Sequence, residues 1–187
     1  NSNAVRVVRC PSFFSCNYVI PIYALQAIDE NGDRKTPITV SDIEKWIERA
    51  NRVYEIAGIE FDYDGKLSTI KDTRVNSVTG ESDQNWQYVK ETINEIAKHQ
   101  KKLVILFRYG EGSNPTGGGF SWGSYDFVVM PALSRVNTNG VRIPVTSVVG
   151  VENIALLSHE IGHFFGLSHT FSNIFGTVNE AKLDFLR

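Results

Sequence analysis

Three of the chain's four histidines fall within eleven residues, and their spacing constrains the fold more than any other feature of the sequence. They are His159, His163 and His169, and the segment 152–166 reads ENIALLSHEIGHFFG, with its apolar residues at helical spacing. Side chains four positions apart leave a helix on the same face, so His159 and His163 can bind one metal ion together. Gly166 can take the left-handed conformation that ends a helix, which would turn the chain so that His169 returns as a third ligand.

Three imidazole ligands leave one position open on a tetrahedral zinc ion, an arrangement typical of catalytic rather than structural sites. Zinc lowers the pKa of a bound water from about 15.7 to about 7 and polarises a carbonyl under attack. Glu160 is offset from His159 by about 100° around the helix, so we expect it beside the metal, acting as a general base. If the histidines were only surface or packed residues, the five fixed residues of this pattern would arise by chance in roughly one such sequence in 10⁵.

Length and composition limit the number of domains, the binding partners and the location of the protein. A chain of 187 residues with 42% apolar residues predicts a single domain over residues 1–187. Basic and acidic residues are balanced, 19 against 21, without a basic stripe, so nucleic acid is not expected as a partner. No apolar run approaches the roughly 20 residues that span a bilayer, and residues at the N-terminus lack the charged-then-apolar layout of a signal peptide. We therefore expect the mature form of a secreted protein, whose oligomeric state is unknown.

Two features allow several interpretations. Cys10 and Cys16 could form a small disulfide loop or remain free thiols, and a cysteine that blocks the metal in a latent form is a third reading. Glycine-rich loops and aspartates could bind calcium, but no spacing of oxygen ligands identifies a site.

The apolar patterns also predict the order of the secondary structure. A capping box of Ser41 and Glu44 begins a helix that continues to Gly58, and a second amphipathic helix spans residues 86–97. The run LVILF is continuously apolar, as expected for a strand at the centre of a sheet. Residues 66–82 are polar and weakly patterned. Strands are predicted at residues 17–27, 59–63, 102–108, 119–123 and 126–131.

The extended pattern His-Glu-x-x-His-x-x-Gly-x-x-His resembles the zinc motif of the metzincin clan of endopeptidases. The order of predicted elements over about residues 17–171 is similar to theirs as well. The resemblance implies an α/β (α+β) fold, the metzincin upper subdomain, in which a twisted five-stranded mixed sheet carries a backing helix and a zinc-binding active-site helix. It also implies a zinc-dependent endopeptidase acting on proteins or peptides.

Within the clan, LLSHEIGHFFGLSHTF and ITVSDIEKWIERANRVYEIAGIEF are similar to the pappalysin family. By the same resemblance, an antiparallel edge strand would bind an extended peptide through its backbone and so add the substrate to the sheet. The residues of that strand would be Gly118, Gly119, Phe120, Ser121 and Trp122.

The chain departs from these families after the third histidine. Metzincins carry a methionine-bearing turn there, whereas the only methionine, Met130, lies upstream, and eighteen residues follow His169. The stretch from Ser172 also lacks the glycine and cysteine usual in pappalysins. We therefore expect a chain truncated after the third ligand, with the C-terminal subdomain largely missing. A zinc-bearing binding module without activity, and a hydrolase acting on other bonds, remain alternative interpretations.

Overall fold

The computed structural model describes residues 18–36, 38–109, 125–130, 134–136, 142–144 and 156–167. In these ranges, none of the helices is long and apolar enough to cross a bilayer. The elements, in chain order, are β1 (Tyr18–Ile28), α1 (Val40–Tyr54) with a 3₁₀ turn (Glu55–Ala57), β2 (Ile59–Lys71), α2 (Thr73–Ser77), α3 (Trp86–Gln100), β3 (Leu103–Phe107), β4 (Phe127–Val129), β5 (Ser134–Val136), β6 (Arg142–Pro144) and α4 (Leu156–Phe164).

Four strands form a parallel sheet in the order β2-β1-β3-β4, and β5 pairs with β6 as a separate antiparallel ladder. The predicted α/β class is confirmed. Strand β3 lies between β1 and β4 with all five of its residues buried, as predicted from its continuous apolar run. The antiparallel fifth strand that was predicted at residues 119–123 lies outside the described residues. The described sheet is therefore four-stranded and wholly parallel.

The two faces of the sheet have separate cores, because successive side chains of a strand point to opposite faces. In β3, Leu103 and Ile105 belong to the core beneath α1 and α4, whereas Val104 and Leu106 belong to the core beneath α3. The buried residues of α1 are Ile43, Trp46, Ile47 and Ala50. Helices α1 and α4 therefore share one face of the sheet, and α3 covers the other.

Helix α1 begins two residues before its predicted start. Its capping box joins Thr39 and Asp42, not Ser41 and Glu44. The Thr39 hydroxyl accepts from the backbone N–H of Asp42 at 3.2 Å, and the Asp42 carboxylate accepts from the N–H of Thr39 at 3.0 Å. The two boxes overlap in sequence, and the earlier one closes because Thr39 is extended and Asp42 reaches back to it.

Strand β2 is more than twice as long as predicted, because a bulge interrupts its alternation. The pairing with β1 steps from Ile22 opposite Tyr63 to Ala24 opposite Leu67, so β2 has two more residues than its partner at this point. Gly65 lies within the bulge at a φ of +72°, a conformation that glycine adopts readily. The second half of β2 thus falls in a segment whose sequence pattern looks irregular.

A buried polar cluster joins the carboxyl ends of β1 and β3 to α2, an element that the sequence did not reveal. The Asn76 amide of α2 donates to Asp29 Oδ1 at 2.9 Å and to the carbonyl of Arg34 at 2.7 Å. Its own oxygen accepts from the N–H of Tyr109 at 2.9 Å. Asn76 is fully buried, so these bonds replace water for three separate segments of the chain.

Candidate metal centre

Helix α4 presents its two histidines away from the core, as predicted. Leu157 and Ile161 are fully buried in the core shared with α1, one turn apart on the same face. His159 lies about 200° around the helix from Leu157 and is exposed, and His163 is half-buried. The apolar stripe thus determines which side of α4 carries the imidazoles.

The two imidazoles are spaced as ligands of a single ion. Their Nε2 atoms lie 3.2 Å apart, and the ring planes are nearly perpendicular, at 86°. Two nitrogen ligands at a zinc–nitrogen distance of about 2.0–2.1 Å in tetrahedral geometry are roughly 3.3 Å apart. His159 and His163 therefore fit the zinc ion that the motif implies.

A backbone carbonyl orients His163. The ring Nδ1 lies 2.6 Å from the oxygen of Leu167, and because a carbonyl can only accept, Nδ1 carries the proton and donates it. The Nε2 atom is then left with its lone pair facing His159. A carbonyl that fixes the tautomer of a metal-binding histidine in this way also raises the basicity of the ligand. The sequence gives no signal for this contact, since any residue at 167 supplies a carbonyl.

The turn that ends α4 places that carbonyl. Gly166 has a φ of +85°, which confirms the predicted left-handed conformation. The N–H of Gly166 donates to the carbonyl of His163 at 2.8 Å, and the N–H of Leu167 donates to that of Gly162 at 2.9 Å. These two bonds form a Schellman motif, which satisfies the last carbonyls of the helix and redirects the chain.

Glu160 is buried, with 4% of its surface exposed. It lies about 100° from His159 on one side and about 60° from the Leu157 stripe on the other, at the margin of the buried face. Within the described residues its Oε2 has no hydrogen-bond partner, and burial raises the pKa of the carboxyl from 4.5 to about 7. A carboxyl with this pKa can hold or release a proton near neutral pH.

The other predicted site residues lie outside the described part of the chain. These are His169, the proposed substrate strand at residues 118–122, and both cysteines. Within the described ranges, no group of three or more His, Cys, Asp or Glu side chains is placed to hold a metal ion. The metal ligands therefore stay predictions, and the structure gives the mutual geometry of the first two candidates, His159 and His163.

A comparison with known protein families shows which family the chain belongs to. Residues 40–170 match the metallo-peptidase family M12B, reprolysin-like, over more than two thirds of the sequence. The matched range includes Glu160 and all three histidines of the motif. A comparison with curated protein sequences gives no significant match. The match confirms the expected metzincin type but does not extend to the pappalysin family. The chain belongs to the reprolysin-like metallopeptidases of family M12B, which are zinc-dependent proteases.

Proposed function

We propose that this chain is a zinc-dependent endopeptidase that hydrolyses peptide bonds in proteins, with His159, His163 and His169 as ligands and Glu160 as the general base. The observation that carries the proposal is the pair of imidazole nitrogens 3.2 Å apart, next in sequence to a buried carboxyl. A purely structural zinc site has four protein ligands and no need for such a carboxyl. Glu160 therefore favours a catalytic role over a binding module.

In the proposed reaction, the zinc ion and the residues of the chain have separate roles. Zinc, when bound, supplies Lewis-acid activation of a water molecule and of the scissile carbonyl. Glu160 accepts the proton of the attacking water and passes it to the leaving nitrogen. Burial raises the pKa of this carboxyl, which favours a group that takes up a proton and later releases it. The Leu167 carbonyl holds His163 in the tautomer whose Nε2 carries the lone pair that a metal ion needs.

The substrate is proposed to bind as an additional strand along residues 118–122. Strand β4, which follows this segment in the chain, is at one end of the described sheet. The proposal rests on chain order, since a segment just before an edge strand would extend the sheet if it paired with that strand, and an extended peptide would then add to it. The side chains that would select the cleaved sequence are not assigned.

Three finer proposals accompany this function. The chain is proposed to act as one catalytic domain over residues 1–187. It is proposed to be secreted, a property supported by the zinc-protease class. A pappalysin-like subgroup is proposed from the wording LLSHEIGHFFGLSHTF around the motif and from its continuation into Thr170 and Phe171.

The test combines zinc content with the cleavage of a denatured protein. The parent chain is expected to contain one zinc ion and to lose its cleavage activity with a chelator. Glu160→Gln should keep the zinc and lose about 10²-fold or more in rate, whereas His163→Ala should lose both. Glu60→Gln, which changes an exposed glutamate on β2, is the matched control and should behave as the parent. Full activity in Glu160→Gln would refute the assigned base, and a parent without zinc would refute the site.

A further inference from the structure

Tyr54, the last residue of α1, forms a hydrogen bond to the helix that carries the histidines. Its hydroxyl donates to the carbonyl of Ser158 at 2.8 Å, joining residues 104 positions apart in the sequence. Ser158 directly precedes His159 and Glu160. The contact thus reaches the backbone of α4 at the start of the motif.

The ring of Tyr54 fills the space between the sheet and the end of α4. It packs edge-on against Phe61 of β2, with centroids 5.5 Å apart, and against Phe165, with centroids 5.6 Å apart. A Cβ atom added at Gly162 would lie 3.4 Å from the Tyr54 hydroxyl. Ser158, Gly162 and Phe165 are spaced at i, i+4 and i+7, so Tyr54 contacts one continuous stripe of α4.

Three stripes of residues run along α4, beginning at Leu157, Ser158 and His159, and neighbouring stripes are about 100° apart around the helix axis. Each stripe has different surroundings. The Leu157 stripe is buried in the core, the Ser158 stripe faces Tyr54, and the His159 stripe points outward. Apolar burial is non-directional, so the first stripe alone tolerates some rotation of the helix about its axis. A hydrogen bond to a backbone carbonyl is directional and restricts that rotation.

We propose that Tyr54 is a positioning residue for the metal centre, because its hydroxyl fixes the rotation of α4 and thereby the directions of His159 and Glu160. This inference rests on the proposed function and assigns it a residue outside the motif. Burial raises the pKa of Tyr54 to about 12, so the donor proton is present throughout the working pH range.

The test is Tyr54→Phe, which removes the hydroxyl and keeps the ring contacts with Phe61 and Phe165. The matched control is Tyr63→Phe on β2, because the Tyr63 hydroxyl is also buried but has no hydrogen-bond partner within the described residues. Tyr54→Phe should raise the zinc dissociation constant by about fivefold, the factor that corresponds to the free energy of one typical hydrogen bond. It should also change the visible spectrum of the cobalt-substituted protein. Tyr63→Phe should leave both unchanged.

A second readout does not depend on metal. In the metal-free protein, amide hydrogen exchange across α4 should be about fivefold faster in Tyr54→Phe, with α3 as the internal reference. Unchanged exchange across α4 would overturn the inference, as would equal effects of the two variants on zinc affinity. If the parent binds no zinc, the proposed function fails, and the exchange measurement still decides whether Tyr54 holds the helix.

Discussion

Replacing Gly166 by alanine separates backbone conformation from packing at the end of the metal-binding helix. A methyl group at this position would meet no heavy atom of the described residues within 4 Å, so crowding contributes nothing. The φ of +85° is the whole obstacle, and an L-residue with a side chain pays about 1–2 kcal/mol to adopt the left-handed region. We therefore expect Gly166→Ala to lower the free energy of unfolding by that amount.

Urea denaturation of the metal-free protein measures this loss directly. Gly80→Ala is the control, because its added methyl group also meets open space and its φ lies outside the left-handed region. Alanine there should be neutral or stabilise the fold by about 0.4–1 kcal/mol. Gly166→Asn should lose less than Gly166→Ala, since asparagine enters the left-handed region more readily. Equal stabilities for Gly166→Ala and Gly80→Ala would refute the reasoning.

The same substitution should weaken zinc binding. The turn at Gly166 places the carbonyl of Leu167 2.6 Å from His163 Nδ1, and a change in the turn moves that acceptor. Loss of a partner to a metal-binding histidine typically costs about 10–100-fold in affinity. Titration of the protein with zinc in the presence of a competing chelator measures this loss of affinity. If the Gly166→Ala variant is destabilised but its zinc affinity is unchanged, the turn does not orient His163.

Three further predictions concern stability. Asn76→Ala removes two donated hydrogen bonds and one accepted hydrogen bond from a buried cluster and should cost about 3 kcal/mol in urea denaturation, whereas Asn31→Ala in an exposed turn should cost under about 1 kcal/mol. Burial alone would raise the pKa of Asp29, but hydrogen bonds from Arg34 and Asn76 outweigh it and lower that pKa. The stability that Asp29 contributes is therefore complete above about pH 4 and is lost as the pH falls through the lowered pKa. Asp29→Asn should therefore make the free energy of unfolding depend less steeply on pH in the acid range, and an unchanged pH dependence would contradict this. Removing zinc with a chelator should lower the melting temperature, because free zinc at about 100 times its dissociation constant adds about 2.7 kcal/mol; an unchanged melting temperature would contradict a folded-state site.

The geometry of a single helix was sufficient to predict the main features of α4, the helix that carries the zinc motif. The separation of four residues placed His159 and His163 on one face, the 3.6-residue period placed Leu157 in the core, and Gly166 ended the helix as expected. The position of Glu160 beside the metal, expected from its angle of about 100° to His159, stays a prediction, and the structure shows that its side chain is buried. Each of these follows from the geometry of a single helix, which a sequence determines without knowledge of its neighbours.

Features that depend on distant segments could not be predicted. The bond from Tyr54 to Ser158 requires knowing that α1 and α4 lie on the same face of the sheet. The pKa of Glu160 depends on how completely the core excludes water from it. The length of β2 was missed for a different reason, since its bulge at Gly65 interrupts the alternation on which strand prediction rests.

The long sequence separation between Tyr54 and Ser158 has a consequence for the order of events during synthesis. At about 5–20 residues per second, the ribosome needs roughly 5–20 seconds to add the 104 residues between them. Helix α4 has most of its anchors in elements made earlier, so it docks onto a sheet that already exists. Limited proteolysis of ribosome-stalled chains should show protection of α1 before that of α4, and simultaneous protection would contradict this order. The two imidazoles are then the last of the described groups to reach their places, and a growing chain acquires its metal-binding geometry in the same step in which Leu157 and Ile161 complete the core.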